Sequence, residues 1–297
     1  MDKLSIQNLV RGYSIETTVH GAESVDKFSD VVSAGTRIYI VQAHGANLHD
    51  AAALARRLRT EGMEPVPHII ARSLDSLARL DDLLSRLAGD AGVRQVLVVA
   101  GDIASPAGQI SSTLQILDSG LLEKHHIKTV GVAGHPEGHP TVSDGALRDA
   151  LRRKNAYSRK TGASVYIVTQ FTFDAEPIVA WERSHGDDIS QLPITVGLPG
   201  LASAKTLLKF ALDCGIGPSV KAFSKRAGKL TKLLAVSTPD NIIVDLARYK
   251  DRTPQTRITG LHFFPFGGFD RTAEWANNIV AGNFELADDG LNVARRL

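Results

Sequence analysis

A single cysteine, Cys214, in 297 residues rules out a disulfide framework or a thiolate zinc cluster within one chain. A reducing compartment fits that count. Neither sign of charge is in excess, with 34 lysines and arginines against 32 aspartates and glutamates, so nothing in the balance asks for nucleic acid as a partner. No apolar run approaches the roughly 18 residues of a membrane span. The opening MDKLSIQNLVRGYSIE lacks the apolar core and small-residue cleavage site of a signal peptide. Together these absences lead to the expectation of a cytoplasmic protein with no membrane partner. Low-complexity tracts and long linkers are also missing, and the one basic run, KAFSKRAGKLTK (221–232), reads as a solvated helix face, with docking of an anionic ligand as the alternative.

What is there is a repeat of organisation. Short β-branched runs stand at 12–19, 36–42, 65–71, 94–100, 128–133, 164–170, 193–197 and 260–266, eight in all. Between them lie stretches with helical apolar spacing, among them 51–62, 74–89, 110–122 and 146–162. Two helices are expected between 221 and 250, before the last run. Near-continuous apolar strands separated by helices mean a parallel sheet covered on both faces. Eight such units in a chain of this length close most economically into a single-domain α/β fold, a (β/α)8 TIM barrel over 1–297. A doubly wound open sheet is the alternative, and the lack of a GxGxxG after the first strand counts against it.

In such a barrel the chemistry belongs to the C-terminal strand ends and the loops that follow. Polar residues collect there: Glu16 on strand one, AHGAN (43–47) after strand two, His68 on strand three, Gly101 and Asp102 after strand four, HPEGHP (135–140) after strand five and Gln170 at the end of strand six. Each alone has a structural reading, as a satisfied core histidine or as turn chemistry. Their coincidence at six strand ends points to a site. The histidines of HPEGHP invite a metal, but Pro136 and Pro140 forbid the helix that a zinc-binding HExxH needs. His135, Glu137 and His139 are therefore expected to hydrogen-bond a polar cofactor on a proline-stiffened loop, with no metal.

These motifs carry a resemblance. The order Ser14-Ile15-Glu16, Pro67-His68, Gly101-Asp102, AGHPEGHP (133–140) and VTQFTFD (168–174) is similar to that of methylenetetrahydrofolate reductase, whose loops read YPExHP and ITQxFFD. Downstream, VGLPGLAS (196–203) resembles the family's PGxxPxxS, and LHFFPFGG (261–268) stands where the family has its last barrel strand. The resemblance covers most of the chain and concerns the catalytic domain. It also has gaps: Glu16 is followed by Thr-Thr-Val-His where the family has EFFPP, RGD becomes AGD, and Ala204 stands where an aromatic is expected.

The resemblance implies a non-covalent FAD that takes hydride from NADH or NADPH and passes it to 5,10-methylenetetrahydrofolate, giving 5-methyltetrahydrofolate for one-carbon metabolism and methionine biosynthesis. By family match Glu16 is the general acid, Asp102 acts beside flavin and folate, and Gln170 contacts the substrate. His68, Gly101, Asp102, His135, Glu137 and His139 fall on cofactor positions, with Lys154 and Asn155 assigned to phosphate and ribityl contacts. A homo-oligomer is left open. A flavin-free folate or one-carbon transferase, and a catalytically silent barrel binding folate or a partner, are the competing readings.

Overall fold

A computed structural model describes residues 2–42, 48–189, 191–214, 216, 236–287 and 290–293. Eight strands form a closed barrel: β1 (Ser14–Thr18), β2 (Arg37–Val41), β3 (Glu64–Ile70), β4 (Gln95–Val99), β5 (Thr129–Gly134), β6 (Ser164–Thr169), β7 (Ile194–Pro199) and β8 (Ile258–Phe264). Around the barrel the order is β1-β8-β7-β6-β5-β4-β3-β2, each strand lying beside the next in sequence, with β8 returning to β1. That is the (β/α)8 topology expected from the eight apolar runs. The residues of β7 are buried throughout, as befits a strand covered on both faces.

The helices follow from apolar spacing and caps. Helix α3 (Leu77–Gly89) starts where Ser76 Oγ accepts the Arg79 amide at 3.2 Å, and it buries Leu80, Leu83, Leu84 and Leu87 along one stripe. Helices α1 (Lys3–Val10) and α2 (Leu48–Thr60) precede it; α4 (Asp144–Thr161), α5 (Glu176–Ser184), α6 (Ala204–Asp213), α7 (Asp240–Arg252) and α8 (Phe269–Ala281) follow. The stretch read as one helix at 110–122 is two short ones, Thr113–Leu117 and Leu121–Lys124. Gly120, at φ 72°, sits in the left-handed region between them and breaks the run. Of the two helices expected in 221–250, α7 is present, and 217–235 lies outside the described residues, as does AHGAN at 43–47.

Two compact units make up the chain. One comprises residues 1–15, 134–148 and 168–297, and the other 16–133 and 149–167. In the first, β8 pairs in parallel with β7 and, through Ser14 and Ile15, with β1. It also holds two features that the strand-helix repeat does not announce: α1, which buries Ile6, Leu9 and Val10, and an antiparallel hairpin of Phe284–Ala287 with Gly290–Val293. The second holds the parallel ladders β2-β3, β3-β4 and β4-β5. Among the described residues no helix is long and apolar enough to cross a membrane.

Candidate active site

In the second unit Glu16 and His68 lie within electrostatic reach of each other. Glu16 lies within β1, surrounded by protein while keeping some solvent contact. Burial pushes its carboxyl up to about 7, and the charge of His68 pulls the other way. His68, buried in β3, meets the Tyr39 ring edge-on at 6.0 Å between centroids. The Tyr39 ring is itself tied down, because its hydroxyl bonds to that of Tyr166 at 2.6 Å and Gln95 donates to the Tyr166 oxygen at 2.7 Å. Gly131 makes room for this pair: a Cβ there would come within 2.8 Å of the Tyr166 ring. A hydrogen-bonded interior chain thus fixes the wall on which His68 rests.

Gly101 has φ +92°, and a Cβ at that position would approach Ile70 Cγ2 to 2.6 Å, so both backbone and packing demand glycine. The turn it makes presents Asp102 as an exposed carboxylate. Sequence reasoning missed the residue that staples this loop: the Arg72 amide donates to Ala100 O at 2.9 Å, its carbonyl accepts from Ala107 at 2.8 Å, and its Nη2 donates to Ala104 O at 2.7 Å.

Lys154 and Asn155 are both buried on the inner face of α4 with Leu151 and Tyr157. Lys154 Nζ donates to Ala133 O at 3.2 Å, and burial holds its pKa down at about 8. Among the described residues no carboxylate pairs with it. A desolvated ammonium with one carbonyl partner is costly unless an anion joins it. An anionic group such as a cofactor phosphate fits its remaining donors.

In the first unit the candidates stand on turns and strand ends fixed by backbone hydrogen bonds. After β5 the chain turns at His135, where the Gly138 amide donates to its carbonyl at 3.1 Å and Gly138 adopts φ +82°. This brings the His135 and His139 rings edge-to-face at 5.2 Å, with Glu137 half-buried between them in sequence. His139 Nδ1 accepts the Thr141 amide at 3.2 Å, which places the neutral ring's proton on Nε2 as an available donor. Gln170 continues the ladder beyond β6, its amide donating to Gly134 O at 2.8 Å. Its Oε1 accepts from the Phe171 amide at 3.0 Å, which leaves the side-chain N–H groups to donate elsewhere. No group of three or more His, Cys, Asp or Glu among the described residues is placed to hold a metal ion.

The sequence reading also passed over a fully buried pair, Ser14 on β1 and His262 on β8, with Oγ and Nδ1 2.9 Å apart. The signal was the alternation Gly260, His262, Phe264, which puts a histidine on one face of an otherwise apolar strand.

A sequence model of the family described as methylenetetrahydrofolate reductase matches residues 22–219. That span takes in every candidate except Glu16. Among solved structures, an uncharacterized protein from Clostridium thermocellum, described as binding two copies of 5-methyl-5,6,7,8-tetrahydrofolic acid, is similar with a TM-score of 0.52 at 13% identity, over 91% of this chain and 98% of that one. A putative copper homeostasis protein, CutC from Streptococcus agalactiae, has a TM-score of 0.41 at 11% identity, over 86% of this chain and 99% of that one. At 13% identity the likeness to the first of these concerns the fold.

Proposed function

The chain belongs to the methylenetetrahydrofolate reductase family, and from that premise we propose that it reduces 5,10-methylenetetrahydrofolate to 5-methyltetrahydrofolate with NADH or NADPH and a non-covalent FAD, in the cytoplasm. The observation that carries this reading is Glu16. A carboxyl held at about 7 on a barrel strand is still protonated in an appreciable fraction at neutral pH, as a proton donor must be. Glu16 would give its proton to folate N10 as the five-membered ring opens.

When bound, FAD would supply the chemistry of accepting hydride from the nicotinamide and delivering it to the folate. The chain's own residues hold and orient. Lys154 would neutralise an anionic group of the cofactor from the inner face of α4, beside Asn155. Gly101 would hold the turn after β4, and Asp102 would offer a carboxylate beside the bound ring system, where it would disfavour negative charge. His139, through its Nε2 proton, and His135 would donate to the cofactor on the loop that Pro136 and Pro140 stiffen. Gln170 would donate its amide N–H groups to the substrate. His68 stands within electrostatic reach of Glu16, where its charge would favour the ionised carboxylate left after proton transfer.

The test is spectroscopic. The purified protein should carry a flavin absorbance that NADH or NADPH bleaches under anaerobic conditions and methylenetetrahydrofolate restores. A colourless protein that fails to take up added FAD overturns the reading.

A further inference from the structure

Between α5 and α7, both in the first unit, lies a cleft of about 460 Å³ lined by Arg183, Asp245, Arg248, Tyr249, Arg252 and Thr253. Three guanidiniums meet one carboxylate there, and that carboxylate is already engaged: Asp245 Oδ1 accepts from Arg248 at 3.1 Å. Arg183 and Arg252 stand in the last turns of their helices, where the negative end of the macrodipole favours a cation. That accounts for each position alone, and not for three arginines converging on one cavity.

The lining is rich in unengaged donors. Among the described residues neither Arg183 nor Arg252 forms an ion pair or a side-chain hydrogen bond, and the hydroxyls of half-buried Tyr249 and Thr253 make no bond either. The Arg183 guanidinium lies over the Tyr249 ring, 5.2 Å from its centroid. Stacking of that kind holds a guanidinium by its face and leaves the N–H groups at its edge free to donate.

Such donors suit a phosphate, whose oxygens guanidinium forks pair with bidentately. Three guanidiniums against one carboxylate leave an excess of positive charge that answers the roughly −1.5 to −2 of a phosphate ester at pH 7. We propose that this cleft binds a small phosphate ester, with Arg183, Arg248 and Arg252 on the phosphate oxygens and the Tyr249 and Thr253 hydroxyls on the group that the phosphate carries. A phosphate alone would fill only part of the cavity, since cavities of this size hold whole small molecules. None of these residues has a part in the reduction proposed above, so the two readings stand or fall separately.

Calorimetric titration of the full-length protein with inorganic phosphate and with ribose 5-phosphate, at an ionic strength held constant with chloride, tests it. Both should bind, ribose 5-phosphate the more tightly; equal affinities would overturn the role given to the two hydroxyls. Arg183→Gln and Arg252→Gln should each raise Kd about 10-fold or more, and Arg252→Lys should recover only part of the loss, because an ammonium lacks the fork. Lys154→Met should leave this affinity as it is, which separates the cleft from the site at α4, and FAD content should not change in the arginine variants. No binding above the chloride background, or binding that the Arg183→Gln, Arg252→Gln double variant retains, overturns the proposal.

Discussion

The largely buried ionisable groups Glu16, His68 and Lys154 and the loop groups His135, His139, Gln170 and Phe266 are built from opposite physics. In the first, ionisable groups are kept from water, so that Glu16 is raised to about 7 and Lys154 lowered to about 8, each by burial above all. In the second, the groups are half-exposed, and precision comes from backbone: a proline-flanked turn, a ladder bond at Gln170, a left-handed turn at Phe266. On the proposed function the difference is a division of labour. Proton and charge handling need a low-dielectric setting in which small changes of environment move a pKa far. Recognition of uncharged rings and amides needs rigid placement.

Breaking the ionisable set should have the largest effect. Glu16→Gln keeps shape and hydrogen-bonding capacity but removes the transferable proton. Stopped-flow measurement should find reoxidation by methylenetetrahydrofolate slowed by roughly 100- to 10,000-fold, with flavin reduction by the nicotinamide nearly intact. Equal slowing of both half-reactions would mean damaged cofactor binding instead.

Lys154→Met sharpens the contrast, because stability and affinity should move in opposite directions. The apoprotein should gain melting temperature, since an uncompensated buried ammonium costs several kcal/mol, of the order of 1 to 4 kcal/mol on replacement by a packed apolar side chain. FAD retention should fall. Loss of both would mean that the lysine only packs α4 against Ala133.

The two pKa shifts give opposite pH slopes of stability. A carboxyl raised from 4.5 to about 7 binds its proton more tightly in the folded state, so its contribution is full below the unfolded value and is lost as pH rises through about 7. An ammonium lowered from 10.5 to about 8 is the reverse case: its charged form penalises the fold, and stability recovers as pH rises from about 8 toward 10.5. Urea unfolding across pH should lose the first slope in Glu16→Gln and the second in Lys154→Met, each worth at most about 3 kcal/mol.

The loop groups should respond more gently. His139→Ala removes one donor, and FAD dissociation should speed by a factor matching about 1 to 3 kcal/mol, with no change in the pH slopes above.

How far the sequence revealed this depends on where the information lay. Runs such as RIYIV and QVLVV are buried on both faces and carry their burial in their composition, so the barrel was legible. Candidates at strand ends were legible for the same reason, since fixing the strands fixes their ends. Lys154 was reached only through the family resemblance: on a helix rich in Arg and Lys, nothing local says which cation turns inward, and its position on the Leu151 face decides. The Ser14–His262 pair depends on β1 to β8 register between residues far apart in sequence. The Phe266 turn defeats propensity outright, because local preference argues against phenylalanine at positive φ.

The central claim, that reducing equivalents pass through a cofactor held by this chain, is tested most directly by separating the two substrates in time. The protein is reduced anaerobically with NADH or NADPH, freed of nicotinamide by gel filtration, and only then mixed with methylenetetrahydrofolate. The account predicts one 5-methyltetrahydrofolate formed per protein. No product until nicotinamide is restored would contradict it and point to direct transfer between the two substrates.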